Sequence, residues 1–358
     1  MSTIALMLES DGPGGAERML IQLAEELRRR GHTVVPVGPA AGCGWLAGEL
    51  RSRGFEPETF RLRFPFDPGC VMGLVRTLKR RGVGVVHSHE FTMAVYGAAA
   101  ASLLRVPHLL TMHGGLGFAD RWRRRAAFRW ASRRSRAVVA VSRAGALALS
   151  RRLGMPHSAL TVVPNGIRPD PPSGAEVKAE LGLESGALLV LAVGNLYPVK
   201  GHAVLVRALA RCREIPWHLA IAGRGGEAEP LTRLVADLGC TPRVHLLGYR
   251  ADVADLLSAA DVYAMPSLSE GLPLALLEAM FAGKAIAVSG VGGIPEAVRD
   301  GEEALLVPPG DDLALSAALD RLLRDAPLRA RLGATARGTA QSRFSVEAMT
   351  DAYERLYA

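Results

Sequence analysis

Short apolar runs alternate with amphipathic stretches in two successive series along this chain. This pattern limits what the chain can fold into. The apolar runs are rich in β-branched residues, as buried strands are, and the stretches after them show helical periodicity. Residues 4–37 form the first such unit, with a glycine-rich turn at residues 9–18. Strands that alternate with helices form a parallel sheet covered on both faces. The sequence therefore predicts an α/β fold with doubly wound parallel sheets.

The two alternations are separated by a segment that is typical of a linker. Residues 164–176 contain four prolines and two glycines, which disfavour both helix and strand. Strands are predicted at residues 4–8, 33–37, 83–87, 109–112, 137–141, 161–163, 188–193, 218–222, 244–246, 262–265, 285–288 and 304–307. A chain of 358 residues is long enough for two cores. We therefore predict two Rossmann-like domains, residues 1–165 and 176–339, that face a central cleft.

The cysteines and the apolar segments disfavour several classes of protein. Cys43, Cys70, Cys212 and Cys240 are far apart in the sequence, so neither a zinc site nor a disulfide framework is expected. The longest apolar region, residues 93–110, is interrupted by an arginine and a proline, whereas a membrane-spanning helix needs roughly 20 apolar residues. No signal peptide is recognisable, and we expect a cytoplasmic protein.

Positive charge is concentrated in the first half of the chain. Residues 1–165 carry 24 Lys and Arg against 11 Asp and Glu, and the remainder carries 19 against 24. Residues 120–136 interleave arginines with Trp122, Phe128 and Trp130. This segment could rest on an anionic membrane, bind nucleic acid, or form a solvated helix whose aromatic residues reach the core. The first and third interpretations stay open, and we expect no nucleic-acid partner.

A glycine-rich first turn is also found in dinucleotide-binding dehydrogenases. Here the turn reads GPGG at residues 12–15, whereas the fingerprint of those enzymes is G-x-G-x-x-G. The second strand should end in a carboxylate that binds a ribose, but it reads TVVPVGPA. GRGGE at residues 223–227 fails the same spacing. NAD binding is therefore not expected.

Two glutamates flank the start of an apolar helix in the stretch PSLSEGLPLALLEAM. Glu270 follows a predicted strand, and Glu278 lies inside the helix predicted to begin at Leu272. Pro273 suits the first helical turn, because its missing N–H would have had no intrahelical partner. The N–H groups of Gly271, Leu272 and their neighbours then form a positive end that can hold a phosphate. A phosphate site is therefore predicted at this strand end.

Two histidines alternate along a predicted strand. His87 and His89 face the same way, as two metal ligands could. The sequence offers no evident third ligand, so we expect no metal site. A position near an acceptor is the alternative for either side chain.

Several sequence blocks, taken in order, resemble those of family 4 retaining glycosyltransferases with the GT-B fold. EGLPLALLE at residues 270–278 is similar to the E-x7-E motif of that family. The other blocks are GPGGAE (12–17), TMHGG (111–115), VVPNGI (162–167), VGNLYPVKG (193–201), LLGYRADVADLLSAADVYAMPS (246–267) and GGIPEAVRDGEEALLVPPGD (292–311). The resemblance implies a GT-B architecture in which the C-terminal helix, within residues 340–358, returns to the first domain.

The resemblance also implies a role for each residue that matches a motif. Lys200 would bind the donor diphosphate, and Glu270 would face the hydroxyls of the donor sugar. Glu278 would bind the ribose hydroxyls of the nucleotide. His113 would contact the transferred sugar from the first domain. His113, Lys200 and Glu270 are therefore the candidate catalytic residues.

Four further positions are expected to contribute to donor binding. Gly14 and Gly15 resemble a loop whose backbone approaches the donor phosphates or the acceptor. Asn195 stands where many members of the family carry an arginine. Either Arg224 substitutes for that charge, or the diphosphate is held more weakly by roughly 1.5–3 kcal/mol.

The resemblance implies transfer of a sugar, with retention, from a UDP- or GDP-linked donor to a lipid-linked or polysaccharide acceptor. Fixed positive charge would stabilise the departing diphosphate, so we expect no cofactor and no metal ion. A peripheral position at the inner face of the membrane would give access to a lipid-linked acceptor. Two alternatives stay open: a small soluble acceptor, and a nucleotide-sugar epimerase or binding protein of the same fold.

Overall fold

The chain forms two compact units. The computed structural model describes residues 1–41, 44–184 and 186–358. One unit consists of Met1–Ile167 together with Ser345–Ala358, and the other of Arg168–Phe344. Cys43 lies outside the described residues, and the other three cysteines are free and buried. No helix in the described part of the chain is both long enough and apolar enough to cross a bilayer.

The first unit alternates strands and helices. Its elements are β1 (Thr3–Met7), α1 (Gly15–Arg29), β2 (Thr33–Pro39), α2 (Trp45–Ser52), β3 (Glu58–Phe60), α3 (Pro68–Arg80), β4 (Val85–His89), α4 (Glu90–Leu104), β5 (His108–Met112), α5 (Trp122–Arg134), β6 (Ala137–Ala140), α6 (Arg143–Leu153) and β7 (Leu160–Val162). Within the described residues the seven strands form one parallel sheet, ordered β3-β2-β1-β4-β5-β6-β7. The connections change direction between β1 and β4, and doubly wound sheets bind ligands at that point of the carboxyl edge.

The second unit repeats this architecture. Its elements are α7 (Val177–Glu180), β8 (Leu188–Val193), α8 (His202–Arg211), β9 (Trp217–Ala222), α9 (Ala228–Asp237), β10 (Val244–Gly248), α10 (Val253–Ala259), β11 (Val262–Met265), α11 (Leu274–Phe281), β12 (Ala285–Ser289), α12 (Ile294–Ala297), β13 (Leu305–Val307), α13 (Asp312–Arg324) and α14 (Ala326–Arg343). In the described part of this unit, six parallel strands are ordered β10-β9-β8-β11-β12-β13. The direction changes between β8 and β11.

Most strands are largely apolar because helices cover both faces of each sheet. β8 reads LLVLAV, and its central residues are fully or almost fully buried. In the second unit, Trp217, Leu205 and Leu319 belong to one large buried cluster. This pattern is typical of parallel sheets in α/β proteins, and the predicted fold class is confirmed.

The last helix, α15 (Val346–Tyr357), belongs to the first unit. The guanidinium of Arg30, at the end of α1, binds Glu354 with an N–O distance of 2.6 Å. Tyr353 and Tyr357 are buried, and the Tyr357 hydroxyl lies 2.8 Å from Nδ1 of His87 in β4. Both apolar and polar contacts therefore fix α15 on the first unit.

Candidate active site

In the second unit, the loops after β8 and β11 meet at the point where the sheet changes direction. The Leu268 N–H donates a hydrogen bond to the Val199 carbonyl at 2.8 Å. Gly201 has a φ of +67°, and a Cβ added there would lie 2.1 Å from the carbonyl oxygen of Pro266. Only glycine fits such a close approach in the left-handed region. This contact holds the turn Pro198–Lys200 against the loop that carries Glu270.

An ion pair joins the two loops. Nζ of Lys200 lies 2.7 Å from Oε1 of Glu270. The Glu270 side chain is 9% exposed and that of Lys200 is 28% exposed, so the pair is accessible mainly from the lysine side. Two of the predicted site residues are therefore in direct contact, which the sequence analysis did not foresee.

Glu278 lies near the same place, as the surroundings of Tyr263 show. Tyr263 in β11 is fully buried, and among the described residues its hydroxyl finds no hydrogen-bond partner. Burial raises the pKa of the Tyr263 phenol well above its ordinary value, and the charges of Glu278 and then Glu270 raise it further. Both carboxylates therefore act electrostatically on one buried hydroxyl. Tyr263 was missed from the sequence, although a tyrosine inside a buried strand is itself a signal.

The start of α11 differs slightly from the prediction. The helix begins at Leu274, not Leu272, and Pro273 occupies the cap position outside the first turn. No side chain among the described residues caps this end. Gly271 is fixed by its carbonyl, which accepts a hydrogen bond from the Gly293 N–H at 2.7 Å. The amino end of α11 thus lies beside the loop of Glu270, where its dipole favours an anion.

The loops after β8 and β9 are also in contact. The Leu196 N–H donates to the Arg224 carbonyl at 3.0 Å, and a Cβ added at Gly223 would lie 1.9 Å from the Gly194 carbonyl oxygen. The backbone of Asn195 therefore runs between the Lys200 turn and the Arg224 loop. The exposed guanidinium of Arg224 lies 5.7 Å from the ring centroid of Tyr249. Its position on the neighbouring loop leaves it available to an anionic ligand.

His202, the first residue of α8, was not predicted as part of this region. It is 5% exposed, and in the described part of the chain neither ring nitrogen has a hydrogen-bond partner. Burial lowers its pKa to about 4. A neutral imidazole therefore lies under the loop after β8. A histidine immediately after the lysine–glycine pair was the available sequence signal.

In the first unit, His113 follows β5 and belongs to a buried polar cluster. Its Nε2 lies 3.0 Å from Nδ1 of His89, and its backbone N–H donates to Oε1 of Glu90 at 3.1 Å. Burial lowers the pKa of His113 to about 4 and raises that of Glu90 to about 7. Glu90 has a φ of +65°, a rare conformation for a non-glycine residue. His113 is therefore held as a neutral imidazole.

Gly14 and Gly15 stand at the start of α1, next to Glu17. A Cβ added at Gly14 would lie 2.5 Å from a carboxylate oxygen of Glu17, whose side chain is buried. Burial raises the pKa of Glu90 most, and the negative charges of Glu9 and then of Glu17 raise it further. The glycine-rich turn and the Glu90 loop therefore meet where the first sheet changes direction.

His87 is fully buried, as is His89, but the two side chains have different partners. Nε2 of His87 is 2.8 Å from the Thr111 hydroxyl. His87 therefore belongs to the core that holds α15, whereas His89 contacts the predicted site residue His113. Among the described residues, no group of three or more His, Cys, Asp or Glu side chains is arranged to hold a metal ion.

Comparison with known proteins identifies the family. A model described as Glycosyltransferase Family 4 matches residues 13–171, and one described as Glycosyl transferases group 1 matches residues 175–339. A phosphatidyl-myo-inositol mannosyltransferase of Mycobacterium leprae is 30% identical over 345 residues, which cover 90% of this chain and 87% of that protein. The chain belongs to glycosyltransferase family 4. The resemblance inferred from the sequence blocks is confirmed.

Further similar proteins act on chemically different acceptors according to their names. A D-inositol 3-phosphate glycosyltransferase of Stackebrandtia nassauensis is 30% identical over 338 residues, 84% of this chain and 71% of that protein. The structure of Anabaena HepE in complex with UDP and glucose superposes on this family 4 glycosyltransferase with a TM-score of 0.87. The two chains are 25% identical, and each is covered to 99%. The GT-B fold is thereby confirmed.

The basic segment of this family 4 glycosyltransferase forms helix α5. Phe128 is fully buried, with its ring centroid 5.2 Å from that of Phe118. Trp122 is 67% exposed and Trp130 is 38% exposed. The expectation that the aromatic residues reach the core is therefore right for Phe128 and wrong for the two tryptophans.

Proposed function

We propose that the enzyme transfers a sugar, with retention of its anomeric configuration, from a nucleotide-linked donor to a lipid-linked or polysaccharide acceptor. The observation that carries this proposal is the Lys200–Glu270 pair, beside Glu278, where the second sheet changes direction. The similarity to HepE, whose structure contains UDP and glucose, supports a nucleotide-sugar donor with UDP or GDP as the nucleotide.

In this proposal the second unit binds the donor, within the predicted domain 176–339. Lys200 and the amino end of α11, near Gly271 and Leu272, hold the diphosphate. Glu270 then exchanges part of its contact with Lys200 for the hydroxyls of the donor sugar. Glu278, inside α11, accepts hydrogen bonds from the ribose. Arg224 supplies the second positive charge that Asn195 lacks.

The first unit, within the predicted domain 1–165 and joined by the C-terminal helix, binds the acceptor. His113 contacts the transferred sugar as a neutral hydrogen-bonding group, which its lowered pKa supports. Gly14 and Gly15 allow the donor phosphates or the acceptor to approach the backbone closely. Similar proteins are named for lipid acceptors, such as phosphatidyl-myo-inositol, and for small soluble ones, such as inositol 3-phosphate.

The proposed chemical step needs no protein nucleophile. As the bond between the sugar and the diphosphate breaks, negative charge grows on the leaving group and positive charge on the sugar. Lys200 and the α11 dipole stabilise the negative charge on the leaving group. Such electrostatic stabilisation is usually the largest contribution that fixed groups make to catalysis. The acceptor hydroxyl attacks from the face that the leaving group vacates, and the departing phosphate takes its proton. The step proceeds without a metal ion.

Helix α5 supports a peripheral position at the cytoplasmic face of the membrane. Its exposed Trp122 and Trp130 lie among arginines, and such a surface binds anionic headgroups while the indoles enter the interface. Vesicles that contain anionic lipid should sediment the enzyme at low salt. Equal recovery with purely neutral vesicles would contradict this part of the proposal.

The test of the proposed activity is release of nucleoside diphosphate from UDP- and GDP-sugars, with and without candidate acceptors. A transferase is expected to release nucleotide slowly by hydrolysis and faster with an acceptor, and Lys200→Ala should abolish both. An epimerase would convert the donor sugar without releasing nucleotide, and a binding protein would do neither. Either of those results would contradict the proposal.

A further inference from the structure

The first unit contains a cationic cavity that is separate from its candidate active site. The cavity has a volume of about 710 Å³ and lies between the ends of α5 and α6 and the starts of β6 and β7. His113 follows the carboxyl end of β5, whereas the cavity opens at the amino ends of the neighbouring strands. The two sites therefore lie at opposite edges of the same sheet.

Three arginines line the cavity: Arg129, Arg133 and Arg136. No Asp or Glu is among its lining residues, and no carboxylate among the described residues forms an ion pair with these three side chains. By contrast, the nearby Arg152 is paired with Asp120 at 2.9 Å. Three like charges around one cavity repel each other, and an anion inside it would remove that repulsion.

Part of this arrangement has a purely structural role. Nε of Arg129 donates to the carbonyl of Leu153 at the end of α6, and Nη1 of Arg136 donates to the Tyr357 carbonyl at 3.1 Å. These bonds hold two of the guanidinium groups in place but use only one of the five donors of each. Arg133 has no such bond in the described structure. Most of the donor capacity therefore remains available to a ligand.

The backbone leaves room for the guanidinium of Arg129. Gly154, the residue after α6, has a φ of +59°, and a Cβ added there would lie 2.6 Å from Nη2 of Arg129. Any other residue there would require the guanidinium to shift. Ser158 and Thr161 add residues with hydroxyl groups to the lining. The site thus combines oriented forked donors with hydroxyls, the pattern that binds phosphate oxygens.

We propose that this cavity binds a terminal phosphate group carried by a larger molecule. Such a group has a charge of roughly −1.5 to −2 near pH 7, which matches three arginines better than a carboxylate does. The cavity is larger than one phosphate and lies within the range typical of small-molecule sites. The phosphate could belong to a soluble phosphate ester or to a phosphomonoester lipid. The proposal does not depend on the donor site in the second unit.

Arginine modification by phenylglyoxal, read residue by residue by mass spectrometry, tests the proposal on the intact enzyme. Inorganic pyrophosphate at ten times its dissociation constant should slow modification of Arg133 and Arg136 about tenfold. Arg123 and Arg125, on α5 but outside the cavity, serve as controls and should change little. A second experiment, described next, uses phosphatidate vesicles in place of pyrophosphate. The proposal would be overturned if, in both experiments, all four arginines were protected equally or none was protected.

A parallel arm with vesicles distinguishes the two sources of phosphate. Vesicles of phosphatidylcholine with phosphatidate are compared with vesicles of phosphatidylcholine alone. Protection of Arg133 and Arg136 beyond that of Arg123 and Arg125, seen only with phosphatidate vesicles, assigns the site to a lipid. Protection by pyrophosphate, with none by phosphatidate vesicles, assigns it to a soluble ester. Protection that favours Arg123 and Arg125 would indicate membrane contact alone and would contradict a phosphate-binding cavity.

A pair of substitutions on α5 sharpens this test. Arg133→Gln removes one cavity charge, and Arg125→Gln removes the same charge outside the cavity. Both side chains are exposed, so both variants should fold. Protection of Arg136 by pyrophosphate or by phosphatidate vesicles, whichever protects it in the wild type, should be lost in Arg133→Gln. The same protection should be kept in Arg125→Gln. Unchanged protection in Arg133→Gln would contradict the proposed site.

Discussion

Lys200 and Glu270 form an ion pair in which the carboxylate is the more buried partner. A bound diphosphate would compete with Glu270 for the same ammonium group, and the two anions would repel each other. Glu270 therefore has opposite effects on the two parts of the donor in the proposed site. Its negative charge disfavours binding of the phosphates, whereas its oxygens bind the sugar hydroxyls.

This opposition predicts an unusual result for Glu270→Gln. The affinity for UDP alone should rise a few-fold, since a partly exposed charge pair contributes up to about 1 kcal/mol. Nucleotide release from the sugar donor should fall, because the sugar loses its carboxylate partner. Calorimetry with UDP and an assay of nucleotide release measure the two effects. Glu302→Gln, which removes an exposed carboxylate paired with Arg299, is the control and should change neither.

The sequence located Lys200, Glu270 and Glu278, but it could not show how their side chains relate. Their spacing along the chain says nothing about the 2.7 Å contact between Lys200 and Glu270, which depends on two loops meeting. Tyr263 and His202 each had a signal in the sequence, but their lack of hydrogen-bond partners among the described residues is visible only in the structure. The functional roles of Lys200, Glu270 and Glu278 stay predictions.

At the scale of elements, every predicted strand overlaps an observed one or extends it by a residue or two. β8 and β11 were predicted with the observed bounds, since apolar runs with flanking glycine or proline identify buried strands. Residues 45–80 were assigned no element, yet they contain α2, β3 and α3. Helix α14 was missed too, because Gly333 and Gly338 weaken its helical pattern.

Tertiary contacts explain some of these glycines. A Cβ added at Gly333 would lie 2.1 Å from the carbonyl oxygen of Gly283, so α14 packs closely against the end of α11. Gly333 thus lowers the helix propensity of α14 but allows α14 to approach Gly283 closely. Helix propensity alone does not reveal this contact.

Two glycines with the same backbone conformation test how the loops of the donor site are held. Gly201→Ala should destabilise the second unit by more than about 2 kcal/mol, because it adds a clash to the cost of the left-handed conformation. Gly182 has a φ of +66°, and a Cβ added there would have no atom within 4 Å. Gly182→Ala should therefore show the conformational cost alone, about 1 kcal/mol. Urea unfolding compares the two, and similar losses would contradict the close contact between the loops after β8 and β11.

At the scale of the whole molecule, both units contain histidines that folding keeps neutral. Burial lowers the pKa of His108 to about 3 in the first unit and that of His202 to about 4 in the second. An unfolded histidine has a pKa near 6.5, so between about pH 4 and 6.5 the unfolded chain binds more protons than the folded one. The free energy of unfolding therefore rises with pH over this range.

Acid should consequently destabilise both units. Each pKa unit corresponds to about 1.4 kcal/mol, so His202 alone accounts for roughly 3 kcal/mol between pH 4 and 6.5. Urea unfolding at pH 5 and pH 7 measures the effect, and His202→Asn should reduce it for the second unit. Replacement of the exposed His157 by Gln is the control. A pH-independent stability over this range would contradict the buried neutral histidines.

Glu90 should act in the opposite direction. Burial raises its pKa from 4.5 to about 7, so the folded state binds the extra proton, and this contribution to stability is lost as pH rises from about 4.5 to 7. Glu90→Gln should match the wild type near pH 4.5 and exceed its stability by up to ~3 kcal/mol above pH 7. The same urea series measures this, and a constant difference between the two proteins would contradict an ionising buried carboxyl group.

Calorimetric titration with UDP tests the central claim most directly, namely that Lys200 and Glu278 form one donor site in the second unit. Lys200→Ala and Glu278→Gln should each weaken binding by a factor of roughly ten or more, as the loss of a charge-assisted hydrogen bond requires. Lys178→Ala removes another lysine of the same unit, one paired with Asp261 at 2.9 Å, and should bind UDP as the wild type does. Wild-type affinity in both site variants would contradict the account.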